Sequence, residues 1–170
     1  PAEPLEPGGE SQQTIPEVPE ENTEKDATPE KPDRKPLEPK MYMPLGKPLK
    51  RYKKITSEFG YRMHPIHHKR LFHSGIDIAA DKGRKIYATA SGKVIKSELS
   101  PSYGYFVLLQ HKNTYRTTYA HCSKLLVDEG QVISRGDAIG LVGQTGYATG
   151  DHLHYEVIKN RKKVDPRNYF

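Results

Sequence analysis

Five short runs in the second half of the chain concentrate apolar positions between polar, turn-forming stretches, and none follows the 3.6-residue period of a helix. They cover residues 93–98, 105–110, 115–120, 138–142 and 153–158, and each is rich in β-branched or aromatic side chains. Turn formers separate them, at Ser91-Gly92, Lys112-Asn113, Glu129-Gly130 and Arg135-Gly136-Asp137. Strands at this spacing, with no helical pattern between them, predict an all-β fold. It should be mainly antiparallel, a sandwich or partly open barrel-like core with long loops. A short helical turn is expected near residues 123–127. The chain has no internal repeat and no heptad pattern.

Residues 1–40 read differently. They hold 9 of the 14 prolines, 11 acidic and 5 basic residues, and no aromatic. Such a stretch buries too little apolar surface to offset its chain entropy, so it is expected to be a disordered tail or extended spacer. Residues 41–54 then form a connecting segment and 55–170 the folded domain. The net charge of +6 conceals an asymmetry, near −6 over residues 1–40 against near +12 over 41–170, where 22 Lys and Arg outnumber 10 Asp and Glu. A basic domain points to an anionic partner, nucleic acid, an anionic lipid surface or an acidic polymer, or else serves solubility alone. Nucleic acid has only the charge in its favour, since no recognition motif and no interleaved aromatics accompany it.

The single cysteine, Cys122, rules out an internal disulfide. No stretch approaches the roughly 18 apolar residues of a membrane-spanning helix, and no signal peptide is visible. The chain opens on Pro1 rather than Met, which reads as a fragment with any export signal or anchor upstream.

Five residues carry candidate chemistry: His73, Asp77, His121, His152 and His154. Successive side chains of a strand point to opposite faces. His152 and His154 therefore share one face, with Leu153 and Tyr155 on the other, and Tyr119 is expected to share a face with His121. His73 and Asp77 lie four apart around Ser74-Gly75, which fits a helical turn or a bent loop, and the β-rich surroundings favour the loop. A mixed His/Asp set suits Zn²⁺, whose catalytic sites take three protein ligands and keep a fourth position for water.

Residues 55–169 resemble the lysostaphin/LytM-type zinc endopeptidases of bacterial cell walls. The resemblance begins at Phe59-Gly-Tyr-Arg62 with His64-Pro65, and continues in His73-Ser-Gly-Ile-Asp77-Ile78. It runs on through Ser91-Gly-Lys-Val94, Tyr119-Ala-His121, Gly136-Asp137 with Gly140, and Gly143-Gln-Thr-Gly146. It closes on Gly150-Asp-His-Leu-His-Tyr-Glu-Val157. It implies a LytM or duplicated-hybrid-motif fold, one zinc per domain held by His73, Asp77 and His154, and hydrolysis of peptide bonds. It further implies that His121 and His152 flank the open coordination position as catalytic residues, without saying which is the base. Tyr103, Gly143 and Thr145 fall in loops that line the substrate groove of relatives.

The implied partner is peptidoglycan, in an extracytoplasmic bacterial compartment. Relatives cut either D,D cross-links to diaminopimelate or glycine-rich bridges, and the Arg62-Met63-His64-Pro65 stretch leans towards the former. The alternatives are a glycyl-glycine endopeptidase, or a wall-binding or activator module of the same fold that has lost turnover. Retention of all five residues argues against that loss. Cys122 beside His121 is expected to face the core as a small hydrophobe rather than act as a nucleophile. His64, His67 and His68 sit in a basic loop ahead of the site, and His111 reads as structural. Gly140-Leu-Val-Gly-Gln-Thr-Gly146 lacks the Gly-Lys-Ser/Thr ending of a phosphate loop. The turn signature in 130–137 resembles biotinyl or lipoyl carriers, but the carrier lysine is absent. The acidic tail serves as a spacer to the wall, or folds back over the basic groove.

Adsorption to purified sacculi is expected to weaken steadily as salt rises, because the screening length falls from about 10 Å at 0.1 M to about 3 Å at 1 M. Co-sedimentation at increasing salt checks this, and binding that ignored salt would remove the electrostatic account.

Overall fold

The computed structural model describes residues 39–64, 68–112 and 114–170. The tail expected over residues 1–40 lies outside the described residues up to position 38, and so does His67. Twelve strands follow in chain order. The first six are β1 (Lys54–Ser57), β2 (Gly60–Met63), β3 (Arg70–His73), β4 (Ile76–Ala79), β5 (Lys85–Tyr87) and β6 (Gly92–Ser100). The rest are β7 (Gly104–Gln110), β8 (Tyr115–Leu125), β9 (Val132–Ile133), β10 (Ala138–Val142), β11 (His152–Lys159) and β12 (Lys162–Val164). Short 3₁₀ turns occupy Pro39–Tyr42 and Pro166–Tyr169, and among the described residues no helix is long and apolar enough to cross a membrane.

The all-β antiparallel architecture expected from the sequence is the one the chain adopts. A ten-stranded sheet runs β1-β4-β11-β8-β7-β6-β9, with β12 beside β11 and β10 joining the far end of β8 to β5. The β2–β3 hairpin forms a two-stranded sheet of its own. Each of the five predicted runs lies within a strand: β6, β7, β8, β10 and β11. The helical turn expected near residues 123–127 is absent. Strand β8 instead continues to Leu125, because Lys124 and Leu125 pair with Leu141 and Gly140 of β10 and the Ser123 hydroxyl donates to the Val142 carbonyl at 2.9 Å.

The core gathers the inward face of these strands, with Ile76, Ile78, Val94, Val107, Leu109, Ile139, Leu153 and Val157 buried. At its centre the rings of Tyr119 and Tyr155 lie 5.3 Å apart. Two buried phenols need hydrogen-bond partners, and Thr89 serves both. Its amide donates to the Tyr119 oxygen at 3.0 Å, and its hydroxyl meets the oxygens of Tyr119 and Tyr155 at 3.0 and 2.8 Å. Residues 41–53 are stitched to this body by backbone bonds such as Tyr87 N–H to Pro48 O (2.8 Å) and Lys53 N–H to Ala79 O (2.8 Å), and Leu49 joins the core.

His111, just past β7, is buried between the Ser91 carbonyl (2.8 Å from Nδ1) and the Thr117 hydroxyl (2.7 Å from Nε2). Burial lowers its pKa from 6.5 to about 4, with the bond to Ser91 offsetting only part of the effect. The folded ring stays neutral until about pH 4, while the unfolded ring takes up a proton near 6.5. Stability from this group is therefore complete above pH 6.5 and is lost progressively as pH falls towards 4. Urea midpoints recorded across that range are expected to fall more steeply for the native chain than for His111→Asn. Parallel curves would mean that another group governs the acid limb.

Candidate metal centre

Strand register does most of the placing. In β4 and β11, Asp77 stands opposite His154, Ala79 opposite His152, and Ile78 opposite Leu153. The alternation holds: Leu153 and Tyr155 are fully buried in the core, while His152 and His154 turn to the other face. His73 arrives separately, as the buried last residue of β3. The Ser74-Gly75 bend then leads into β4, so the separation of His73 and Asp77 is a loop, as the surroundings suggested. A side chain at Gly75 would run into the Tyr155 carbonyl and the Glu156 side chain, so only glycine lets this bend lie against β11.

His121 reaches the site by a different device, and here the expected face was wrong. Tyr119 does not share a face with His121; it lies in the core against Tyr155. The β7–β8 ladder slips between Tyr105 and Val107, and His121 takes a left-handed backbone conformation with φ of 62°. The bulge breaks strict alternation and turns the imidazole into the site cavity, while Cys122 remains in the core. A non-glycine residue in this conformation costs on the order of 1–3 kcal/mol. It is held there by its amide bond to the Tyr103 carbonyl (2.8 Å) and by Nδ1, which donates to the Thr145 carbonyl at 2.7 Å. Burial pushes the Cys122 thiol up to about 12, which leaves it no nucleophilic character.

Three donor atoms converge. His154 Nδ1 is 2.8 Å from Asp77 Oδ1, His73 Nε2 is 3.3 Å from the same oxygen, and the two nitrogens are 3.2 Å apart. The outer ring nitrogens settle the tautomers. His73 Nδ1 faces the Glu58 carbonyl at 2.9 Å, and a carbonyl only accepts, so that nitrogen carries the proton. His154 Nε2 faces Glu156 Oε1 at 3.0 Å and donates to it. The inner nitrogens are then lone pairs aimed at a carboxylate. Three electron-rich atoms about 3 Å apart need a cation among them, either additional protons or a metal. Two imidazoles and one carboxylate fit Zn²⁺, with a fourth position left open.

The electrostatics agree. Burial opposes ionisation of Asp77, yet His154 and His73 hold its carboxyl well below the usual range. Burial likewise opposes a charge on His154, but the carboxylates of Asp77 and Glu156 on either side raise its pKa. Glu156 is itself buried, and burial would raise its pKa, but His154 and Lys163 bring it down to about 2. It accepts from Ser74 Oγ (2.5 Å), Tyr103 Oη (3.0 Å) and the Lys163 ammonium. Its place was readable: Glu156 is the third member of the His152-x-His154-x-Glu156 row, on the face that alternation gives to both histidines. Ser74 and Lys163 carried no such signal.

His121 and His152 stand beside the centre with rings 4.8 Å apart. His152 Nδ1 donates to the Gly150 carbonyl at 2.8 Å, so each of the two rings keeps Nε2 as its acceptor. Burial lowers His121 to about 4, with the Thr145 carbonyl opposing in part, so its ring is neutral near pH 7. All five candidate residues line one cavity of about 540 Å³, walled by Arg62 and Phe72 on one side and by Tyr147 and Thr149 on another. Tyr103 also lines it, with its hydroxyl committed to Glu156 and Lys163. Gly143 and Thr145 stand behind the histidines: the Gly143 carbonyl accepts from the His152 amide at 3.1 Å, and Thr145 bonds His121 and the Cys122 carbonyl. Tyr147, 82% exposed, was not singled out from sequence, since a lone aromatic in a loop carries no pattern.

The sequence matches the family described as peptidase family M23 over residues 71–166. It is 41% identical over 117 residues to the peptidoglycan DD-endopeptidase ShyB of Vibrio cholerae, covering 68% of this chain and 28% of that protein. It is 45% identical over 115 residues to the DD-carboxypeptidase/endopeptidase Mpg of Neisseria meningitidis, covering 68% of this chain and 26% of that one. The chain thus spans about a quarter of each of these relatives. Among solved structures, a zinc-containing peptidase from Vibrio cholerae superposes with a TM-score of 0.67 at 40% identity, over 71% of this chain and 38% of that one.

Metal analysis of purified variants tests the sorting of the five residues. His154→Ala is expected to lose zinc, and His121→Ala to retain about one equivalent while losing turnover. A His121→Ala protein that came out metal-free would reverse the assignment.

Proposed function

The chain belongs to peptidase family M23, and on that footing we propose that it is a zinc-dependent endopeptidase of bacterial peptidoglycan. The bond it cuts is a D,D cross-link, between a D-alanyl carbonyl and the amine on the D-centre of a diaminopimelate. The observation that carries this reading is the convergence of three lone-pair donors, His73 Nε2, Asp77 Oδ1 and His154 Nδ1, beside the imidazoles of His121 and His152 in one open cavity. The names of the two DD-peptidase relatives support the choice of bond. One zinc per domain is the stoichiometry the donor set supports. The place of action is the bacterial cell envelope.

Zinc, when bound, supplies Lewis acidity to a peptide carbonyl and acidifies water. The remaining work falls to the chain. Nε2 of His121 or of His152 accepts the proton shed by the attacking water and returns it to the departing amine. A ring so protonated turns an N–H towards the negative oxygen of the tetrahedral intermediate. Bonds from both Nδ1 atoms to backbone carbonyls fix the tautomers this exchange needs. Glu156, held by Lys163, Ser74 and Tyr103, orients His154 and increases its basicity towards a metal.

Zinc-loaded protein incubated with diaminopimelate-type sacculi is expected to convert cross-linked dimers into monomers, which mass spectrometry after glycan digestion assigns to D,D cleavage. His121→Ala should lower the rate by about 100-fold or more, in line with the loss of a positioned acid–base group. Release of glycine-terminated fragments from glycine-bridged walls, with diaminopimelate-type walls left intact, would replace the proposed substrate. No hydrolysis of either wall would support a binding module.

A further inference from the structure

Most side chains around the metal centre are already committed to one another. Asp77 is bound by His154, Glu156, Lys163 and Tyr103 bond one another, and Nδ1 of His121 and of His152 is bound to backbone. Among the residues that line the cavity, Arg62 is the only permanent cation. It forms no ion pair with any described residue and is exposed. The neighbouring arginine of the hairpin is used differently: Arg70 lies over the Tyr61 ring, 5.0 Å from its centre.

The hairpin register places Arg62 close to His73 at the edge of the cavity. In β2–β3, Gly60 pairs with His73, Tyr61 with Phe72, Arg62 with Leu71 and Met63 with Arg70. Alternation puts Tyr61, Phe72, Met63 and Arg70 on one face, in keeping with the edge-on contact of Tyr61 with Phe72 at 5.2 Å, although the Phe72 ring at the edge of the ribbon also borders the cavity. The other face carries Arg62, Leu71 and His73. Arg62 is thus a diagonal neighbour of a metal-site histidine, roughly 7–8 Å away along the ladder and within the sweep of an arginine side chain.

An unpaired guanidinium there calls for an anion on the substrate, close to the bond being cut. The substrate proposed above has one. The D-centre of diaminopimelate that contributes the amine of the scissile amide also bears a carboxylate on the same carbon. A glycine bridge has no carboxylate at that position. We infer that Arg62 is a specificity-determining residue that clamps the carboxylate adjacent to the scissile amide, on the leaving-amine side. The inference rests on the D,D-endopeptidase reading. A planar guanidinium accepts a carboxylate by two parallel N–H bonds, and an amidated carboxyl offers only one acceptor oxygen and no charge.

The test uses two cross-linked stem-peptide dimers that differ only at this carboxyl, one free and one amidated. Binding is measured by calorimetry to the zinc-loaded His121→Ala chain, and cleavage is measured with the otherwise native chain. The free acid is expected to bind about 10- to 100-fold more tightly than the amide, as one charge-assisted pair is worth, and to show the same ratio in kcat/KM. Arg62→Gln should remove that preference by weakening the acid alone, with zinc content unchanged, and Arg62→Lys should restore part of it. Equal affinity for both dimers, equal loss on both in Arg62→Gln, or no measurable binding of either would overturn the clamp. The endopeptidase reading fails separately, if the native chain cleaves neither dimer although the free acid is preferred in binding.

Discussion

The pairing of β4 with β11 is the constraint on which the site depends. The same ladder that buries Ile76 and Ile78 beside Leu153 and Tyr155 puts Asp77 opposite His154 on the reverse face. A slip of one residue would exchange the two faces, sending a carboxylate or an imidazole into the core and large apolar groups into the cavity. Each such side chain is worth roughly 1.5–3 kcal/mol of burial. The candidate metal donors on these two strands are therefore held in place mainly by hydrophobic energy spent on the other side of the sheet.

Much of this was legible in the chain, for reasons that differ from residue to residue. Strands β6, β7, β8, β10 and β11 stand out because each has five or more positions and an inward face to mark. Strand β2 has none: Tyr61, Arg62 and Met63 are all exposed, so nothing in its polarity distinguishes strand from loop. Strands β1, β3, β4 and β5 run for three or four residues, too short to show a period. His121 was visible as chemistry but not as geometry, since alternation cannot anticipate a bulge with a left-handed non-glycine residue. The residues that hold the histidines in place, Thr145 and Gly150 through their carbonyls, act with backbone atoms that any residue type would have supplied.

Glu156 shows what the site costs the fold. A buried carboxylate is tolerated only when its charge is matched and its oxygens are occupied. Here four groups from four parts of the chain converge on it: Ser74 after β3, Tyr103 before β7, His154 two residues earlier, and Lys163 from β12. The short final hairpin has its purpose in this, since β12 pairs Lys163 with Ile158 and so returns a cation to the back of the site.

The separate β2–β3 sheet has a wider consequence. Two-stranded ribbons are marginal by themselves, and this one is moored at its base by the bonds of His73 to Ser57, to the Glu58 carbonyl and to the donor atoms of the main sheet. Any cation shared by His73, Asp77 and His154 ties the ribbon down, and the ribbon also forms one wall of the groove. On the proposed function, metal supply and substrate recognition share a single mechanical joint: a chain short of its metal would have a loosened grip as well as an idle centre.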